Sequence, residues 1–254
     1  LSGRELIQQA SEELEGREFS RPEVKARLET ALGRIYISLG LSNDAVSNLE
    51  QAVQRAHDQD NGADPRIRVP ALRHLARAYD QIGRSDLGLA AAQEALALAR
   101  EHFPVGDFET AHVLQTLGVA EEGQDLHEQA LAHFREAEAL FTAGGATQLG
   151  NVGATLHNQG WAMGRHGRDE EALPILERAL RMKRQGLGER HPSIIHTVEM
   201  LARTQARLGH QHEALQGLRE ALALAREVLG EPSQLVAGGY NEIGSLLQDM
   251  GRYE

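Results

Sequence analysis

The octapeptide EALALARE occurs twice in the chain, at residues 94–101 and again at residues 220–227. The two copies start 126 residues apart (220 − 94), which is three periods of 42. A regular period of this size is typical of a stack of structural repeats in which each repeat packs on its neighbours. The sequence therefore predicts a repeat array, and its function has to be sought on an interaction surface.

A turn residue sets the register of the repeat. It is glycine in all but one case, and it recurs at spacings of 43, 42, 42, 42 and 42 residues: Gly40, Gly83, Asp125, Gly167, Gly209 and Gly251. Seven residues earlier lies a small residue: Gly33, Ala76, Gly118, Gly160, Ala202 and Gly244. Twelve residues after the turn lies an alanine: Ala52, Ala95, Ala137, Ala179 and Ala221. Nine residues after it a bulkier apolar residue is usual: Leu49, Phe134, Leu176 and Leu218, with Ala92 as the exception. Small residues at fixed offsets let two helices approach closely, and the large residue fills the remaining gap.

This pattern resembles the tetratricopeptide repeat, whose first helix carries Leu-Gly and Tyr and whose second helix carries Ala-x-x-x-Phe. The matching residues are Leu32-Gly33, Tyr36, Ala45 and Leu49 in repeat one, and Leu117-Gly118, Ala130 and Phe134 in repeat three. The 42-residue period and the linker from Leu187 to Pro192 resemble the longer repeats of kinesin light chains. The resemblance implies an all-α, right-handed superhelical solenoid of helix-turn-helix repeats over residues 22–254, with five full repeats and the first helix of a sixth. Three prolines are expected to begin first helices: Pro22, Pro70 and Pro192.

The two ends of the chain differ from the repeats. In residues 1–21, Ser2 and Glu5 have capping-box spacing, and Leu6, Ala10 and Leu14 recur at helical distance, which predicts a helix that caps the first repeat. At the other end, the sequence stops at Glu254, partway into the sixth repeat, and we expect a fragment of a longer protein. The first helix of that repeat is then expected to expose apolar residues such as Ile243 and Leu247, which allows self-association.

Composition excludes several functions. The net charge of −11 argues against bulk nucleic-acid binding, which needs clustered cations. The chain has no cysteine, so disulfides, zinc-thiolate sites and thiol catalysis are absent. No apolar run is long enough to span a membrane, and there is no secretory signal. The location is therefore open: extracytoplasmic (periplasmic) if a membrane span precedes the fragment, and otherwise cytoplasmic.

A search for catalytic and metal-binding motifs predicts a non-catalytic chain without metal or cofactor. The histidine pairs His210/His212 and His191/His196 lack the spacing and the third ligand of a zinc site. The segment 58–64 imitates a calcium loop, but its glycine stands fifth instead of sixth, and we interpret it as a polar linker. The glycine-rich segment 143–153 lacks the Gly-Lys-Ser/Thr ending of a phosphate-binding loop and is also interpreted as a linker.

The family resemblance implies where a ligand binds, because first helices line the concave groove of tetratricopeptide arrays. Transferred position by position, it predicts a groove for a protein or peptide ligand lined by Arg34, Arg73, Arg77, Gln115, His157, Trp161, Glu199, Arg203 and Asn241. The first three arginines form one basic cluster, and Arg203 with Arg207 forms another. Arginine and tryptophan are enriched at binding hot spots. The alternative left open is that the arginines are paired with nearby acids and that Trp161 packs between repeats.

The opening of the chain suggests the larger protein. Residues 4–10, 21–33 and 35–41 with Ala45 are similar to the start of the C-terminal repeat region of bacterial eukaryotic-type serine/threonine kinases. This resemblance implies a sensor or docking domain of a membrane kinase in signal transduction. The alternatives are a cytoplasmic repeat domain of a transcriptional or peptide-sensing regulator, and a pure scaffold.

Overall fold

The computed structural model describes residues 3–19, 21–57, 64–231 and 233–251, and within them the regular structure is helical. One short 3-10 helix, Gly145–Gln148, separates α7 from α8. The α-helices of the described residues are α1 (Gly3–Gly16), α2 (Pro22–Ser38), α3 (Ser42–His57), α4 (Pro65–Gln81), α5 (Ser85–His102), α6 (Phe108–Glu122), α7 (His127–Ala143), α8 (Leu149–Arg165), α9 (Asp169–Leu187), α10 (Pro192–Arg207), α11 (Gln211–Leu229) and α12 (Gln234–Asp249). The all-α helix-turn-helix architecture expected from the repeat is confirmed.

The chain forms two compact units, residues Leu1–His133 and Phe134–Glu254. In the first unit, α2 packs on α3 and α4 on α5, and the first helices α2, α4 and α6 lie in sequence, with α4 in contact with both others. In the second unit, α8 packs on α9 and α10 on α11, and α12 lies against α11. Within each unit, these pairs of helices follow each other in the chain and are neighbours in space, as a repeat array requires.

The turns fall where the register places them. All five predicted turn glycines have positive φ angles, between 68° for Gly251 and 83° for Gly209. The sixth turn position, Asp125, has φ 57° and is the one non-glycine residue with positive φ among the described residues. A left-handed conformation costs a residue with a Cβ atom, and Asp tolerates it better than most because its side chain is short and polar. The register of the repeat is therefore confirmed by backbone geometry.

The small residues of the first helices and the large residues of the second helices are in contact, as the repeat pattern predicts. A Cβ atom added to Gly33 would lie 2.4 Å from Leu49 Cγ, and one added to Gly160 would lie 2.5 Å from Leu176 Cγ. Each leucine therefore occupies the space that the glycine of its partner helix leaves open. The alanines twelve residues after the turns, Ala52, Ala95, Ala137, Ala179 and Ala221, are all buried. Close packing of the two helices of a repeat follows directly from these side-chain sizes.

Helix starts agree with the sequence at two of three prolines. Pro22 and Pro192 are the first residues of α2 and α10. Pro70, however, lies inside α4, so its prediction was wrong. The helix starts at Pro65, because the Asp64 side chain accepts a hydrogen bond from the Arg66 amide at 2.9 Å and caps the helix. The neighbouring residues 58–63, which form most of the calcium-like segment, lie outside the described part of the chain.

The N-terminal helix α1 contacts the first repeat through a face other than the predicted one. Leu14 is buried, but Leu6 and Ala10 are exposed. The inward residues are Ile7, which packs beside the first repeat's core, and Ser11, which is buried and donates to Asn48 Oδ1 at 3.3 Å. The expected capping box cannot be compared, because Ser2 and the side chain of Glu5 lie outside the described part.

At the C-terminal end, α12 is partly covered by α11. Its residues Ile243, Leu247 and Met250 are half-buried against a cluster that includes Leu215 and Leu218. Self-association through this helix stays a prediction. None of the described helices combines the length and apolar character needed to cross a membrane.

Candidate ligand-binding surface

The predicted groove residues of the first unit lie on three neighbouring first helices, and we call their surface the first-helix face of unit 1. Arg34 lies on α2, Arg73 and Arg77 lie on α4, and Gln115 lies on α6. Arg34 and Arg77 occupy the same position in successive repeats, one residue after the small residue. Arg73 is one helical turn before Arg77, so both face the same side of α4.

A buried histidine lies at the centre of these cations. His74 on α4 is only 6% exposed, and its Nδ1 atom has no hydrogen-bond partner. Burial first, and then the positive charges of Arg73, Arg77 and Arg34 together with His112, lower the pKa of His74 to about 3. His74 is therefore neutral at physiological pH. His74 was not among the residues predicted from the sequence.

The arginines of this face differ in how their charge is compensated. Arg73 Nε donates to Glu109 Oε1 at 2.6 Å, and both side chains are mostly buried. Arg34 and Arg77 have no carboxylate partner within the described part of the chain. The side chain of Arg77 keeps an exposed part. Its pKa is lowered, first because surrounding protein atoms displace water from the guanidinium group and second because of the positive charge of Arg73. The face thus carries two uncompensated guanidinium groups next to a paired one.

His112 and Gln115 complete this surface on α6. His112 Nδ1 lies 3.4 Å from Gln115 Oε1. The pKa of His112 is lowered by burial first and then by Arg73. The predicted residue Gln115 therefore lies beside His112, next to the arginines of this face.

The predicted residues of the second unit lie on α8, α10 and α12, and we call their surface the first-helix face of unit 2. Trp161 on α8 is half-buried, and the guanidinium carbon of Arg165 lies 5.3 Å from its ring centroid. This distance is within cation–π range. Asn241 is exposed, whereas Glu199 is only 7% exposed and its carboxylate lies 3.4 Å from His196 Nδ1.

The second basic cluster is compensated by acids. Arg203 Nε donates to Glu242 Oε2 at 3.0 Å, and a second nitrogen of the same guanidinium reaches Glu242 Oε1. Arg207 Nε donates to Asp169 Oδ2 at 2.9 Å. The hydrogen bond to Glu242 raises the pKa of Arg203. These two arginines therefore present much less uncompensated charge than Arg34 and Arg77.

A buried lysine behind this face was also missed. Lys183 on α9 is 4% exposed, and its Nζ donates to Thr197 Oγ1 at 2.7 Å and to the Ser193 carbonyl at 3.1 Å. Thr197 Oγ1 lies 3.3 Å from Nδ1 of the predicted residue His157. Burial lowers the pKa of Lys183 to about 8. Burial also lowers the pKa of His157 to about 3, with smaller contributions from Lys183 and His196.

The histidines considered for zinc have other roles in the described residues. His191 caps α10, because its Nδ1 accepts a hydrogen bond from the Ser193 amide at 3.2 Å. His196 lies beside Glu199. His210 precedes the first residue of α11 and is exposed. The absence of a specific metal site stays a prediction.

Comparison with family models gives three tetratricopeptide repeat matches, at residues 28–58, 107–185 and 196–234. The chain belongs to the tetratricopeptide repeat family. A fourth model, for anaphase-promoting complex subunit 5, matches residues 66–117. No curated protein matches the sequence.

Solved structures resemble the chain in fold. Kinesin light chain repeats of Podosopora anserina match with a TM-score of 0.62 and 21% identity, covering 85% of this chain and 100% of theirs. A signal transduction ATPase with a tetratricopeptide repeat sensor from Pyrococcus horikoshii matches with a TM-score of 0.70 and 17% identity, covering 98% of this chain and 37% of its own. A Rap protein in complex with competence and sporulation factor matches with a TM-score of 0.64 and 14% identity, covering 96% of this chain and 69% of its own. At these identities the likeness shows the fold alone.

Proposed function

We propose that this tetratricopeptide repeat chain is a non-catalytic peptide-binding module that holds an acidic peptide segment on the first-helix face of unit 1. The observation that carries the proposal is the pair Arg34 and Arg77, which lie beside the buried His74 without a carboxylate partner among the described residues. A tetratricopeptide repeat module binds proteins or peptides, and the Rap protein is an example with a bound factor.

Electrostatics explains why the ligand should be acidic. Like charges held close together destabilise each other, and Arg34, Arg73 and Arg77 lie close together on one side of the unit, where Glu109 pairs with Arg73. A ligand carboxylate between Arg34 and Arg77 relieves this repulsion and can accept two parallel hydrogen bonds from a guanidinium.

The role of the whole protein is a further part of the proposal. The similarity of residues 4–45 to the opening of a kinase repeat region supports a sensor or docking domain of a bacterial membrane serine/threonine kinase. The repeat sensor of the Pyrococcus horikoshii ATPase offers an analogy for a signalling role of this fold. The coding sequence upstream of Leu1 decides: kinase motifs and an apolar span support this role, whereas a DNA-binding motif supports a cytoplasmic regulator. If the chain is instead a pure scaffold, we expect it to bind stable partner proteins and no short peptide ligand.

Neutralising Arg34 and Arg77 together is expected to weaken binding of an acidic peptide by about tenfold or more, because two charge-assisted contacts are lost. Twelve-residue peptides are first selected on the wild-type chain from a random library, and we expect enrichment in Asp and Glu. Affinities of a selected peptide are then measured by fluorescence anisotropy for Arg34→Gln/Arg77→Gln at 50 and 300 mM salt. The wild-type affinity should fall with salt, and the variant should lose most of that dependence.

The matched control is Arg203→Gln/Arg207→Gln, which removes two arginines whose charges are already compensated by Glu242 and Asp169. It should leave the acidic peptide's affinity nearly unchanged. Equal losses in both double variants would show that net charge, and no defined site, attracts the peptide. A library selection without acidic enrichment would contradict the proposal outright.

Trp161→Ala is expected to cost at least about 2 kcal/mol of binding for peptides selected on the first-helix face of unit 2, a typical hot-spot loss. Because Trp161 is half-buried, its loss of folding stability should be smaller than the roughly 3–5 kcal/mol of a core aromatic residue. Trp161 is the only tryptophan, so its own fluorescence reports ligand binding in the wild type. Urea unfolding of Trp161→Ala and Trp161→Phe provides the control, and a collapse of stability in both would identify Trp161 as a packing residue.

A further inference from the structure

Lys183 breaks the pattern of the repeat. Four residues after the alanine that follows each turn, the other repeats carry buried apolar residues, namely Ala56, Ala99, Phe141 and Ala225, each at most 1% exposed. Lys183 occupies the same position and is nearly as buried. Positions that depart from a local packing rule often serve a function, because a buried charge costs stability. Lysine is also rare here, since Lys25 is the only other one in the chain.

The neighbouring helix is shaped for this lysine. Gly153 on α8 faces it, and a Cβ atom at this glycine would lie 2.7 Å from Lys183 Cγ and 2.8 Å from the Lys183 backbone nitrogen. The other four full repeats have larger buried residues at the position of Gly153, namely Ala26, Val69, Ala111 and Ile195. Lysine and glycine together therefore keep α8 and α9 close while placing an amine between α9 and α10.

The amine has no counter-ion in the described part of the chain. Its two hydrogen-bond acceptors, Thr197 Oγ1 and the Ser193 carbonyl, are neutral. Both partners lie on α10, and the titratable groups that interact here are Lys183, His157 on α8 and His196 on α10. His196 lies beside the buried carboxylate of Glu199, which is thereby engaged on α10. The site thus has one buried positive charge that no carboxylate compensates.

Hydrogen-bond directions lead from this charge to the surface. An ammonium group can only donate, so Lys183 donates to Thr197. The single hydroxyl hydrogen of Thr197 has two acceptors at 3.3 Å, the Ser193 carbonyl and His157 Nδ1. Because the Ser193 carbonyl already accepts from Lys183 Nζ, we assign this hydrogen to His157 Nδ1. A neutral imidazole that accepts at Nδ1 carries its proton on Nε2. No described residue holds the Nε2 edge of His157, which is half-buried. The chain Lys183–Thr197–His157 therefore presents a fixed, polarised N–H donor on the first-helix face of unit 2.

We propose that His157, Thr197 and Lys183 form a binding position for a carboxylate group, which accepts the hydrogen bond of His157 Nε2–H and is attracted by the ammonium behind it. The position suits a monoanion, because a single buried cation lies behind one neutral donor. This position lies in the second unit and stands independently of the acidic-peptide proposal for unit 1.

Acetate is the probe, and ¹⁵N–¹H correlation spectra of the histidine side chains are the readout. The His157 signal is identified by its loss in His157→Phe. In the wild type at pH 7, it should show the Nε2–H tautomer of a neutral ring, and acetate added at constant ionic strength should shift it saturably. Lys183→Met, which keeps side-chain length but removes charge and donors, should weaken this acetate response by about tenfold or more.

Two further variants sharpen the result. Thr197→Val keeps the shape but interrupts the hydrogen-bond chain, and it should also weaken the acetate response and relax the tautomer of His157. Lys25→Met removes the other lysine of the chain and should leave both unchanged. An Nδ1–H tautomer in the wild type, a linear acetate response without saturation, or an unchanged response in Lys183→Met or Thr197→Val would each overturn the proposal. If Lys183→Met does not fold, Thr197→Val alone decides.

Discussion

Acidification from pH 7 to pH 5 is expected to lower the free energy of unfolding by about 4 kcal/mol through two histidines, about half of it in each unit. His74 in the first unit and His157 in the second have folded-state pKa values of about 3, against 6.5 for a free histidine side chain. At pH 5 the unfolded chain binds a proton on each ring and the folded chain does not. Because pH 5 lies about 1.5 units below the unfolded-state pKa, protonation of each ring stabilises the unfolded state by roughly 2 kcal/mol.

The sign follows from which state holds more protons. Since the folded pKa values are depressed, the stabilising contribution is complete above pH 6.5 and is lost progressively as the pH falls toward 3. Urea unfolding at pH 7 and pH 5 measures the loss. His74→Gln and His157→Gln keep a polar side chain that cannot be protonated, and each should reduce the loss by about 2 kcal/mol. His210→Gln, at an exposed position before α11, is the control and should change nothing. An acid loss in His74→Gln equal to that of the wild type would mean that His74 is hydrated in solution.

The sequence predicts the array well because its determinants are local and repeat. Left-handed backbone at Gly40 or Gly83 depends on the residue itself, and the contact of Gly33 with Leu49 depends on two sizes at a fixed spacing within one repeat. Arg34 and Arg77 can be placed together for the same reason, because they hold one position in successive repeats. The start of α4 is harder to predict, because both Asp64-Pro65 and Pro70 are residues that favour the beginning of a helix. A proline alone does not determine the first residue of the helix.

Ion pairs between side chains of neighbouring repeats are not predicted when each groove position is considered by itself. Arg203 pairs with Glu242 and Arg207 pairs with Asp169, at separations of 39 and 38 residues, close to one period. Such separations mark neighbours in a repeat array, so the compensation of these arginines is visible in the sequence only once charges are compared one repeat apart. The same comparison relates His157 to Thr197, 40 residues away.

Burial of His74 could not be predicted in the same way. Its position, two residues before the small residue, holds unrelated side chains in the other repeats: Ala31, Thr116, Asn158, Met200 and Glu242. Such a position has no fixed environment, and packing of the neighbouring helices decides whether its side chain meets water. Lys183 is different, because its counterparts are uniformly apolar and a register comparison would have found it.

Replacing Lys183 by methionine is expected to raise the free energy of unfolding by about 2 kcal/mol at pH 7. Burial lowers the pKa of Lys183 from 10.5 to about 8. The folded state therefore disfavours the ammonium by roughly 3 kcal/mol, and methionine avoids this cost but forgoes hydrogen bonds to Thr197 and Ser193 that contribute about 1 kcal/mol. Exchange of an uncompensated buried ion for an apolar side chain of similar length is often stabilising.

The advantage of the methionine variant should depend on pH in a defined direction. Because the folded pKa is depressed, the wild-type chain gains stability as the pH rises from about 8 toward 10.5, where the unfolded chain still holds the proton that the folded chain has released. The advantage of Lys183→Met should therefore shrink over this interval, vanish at about pH 9.5, where the wild type has gained about 2 kcal/mol, and reverse above that pH. Comparing the two chains at each pH removes the effect of other groups, among them Tyr79, whose pKa is raised to about 12 by burial and by Glu50. Lys25→Met is the control and should show a constant offset. A variant less stable than the wild type at pH 7 would show that Lys183 is paired in solution, and that its charge is not available to an anion bound beside His157.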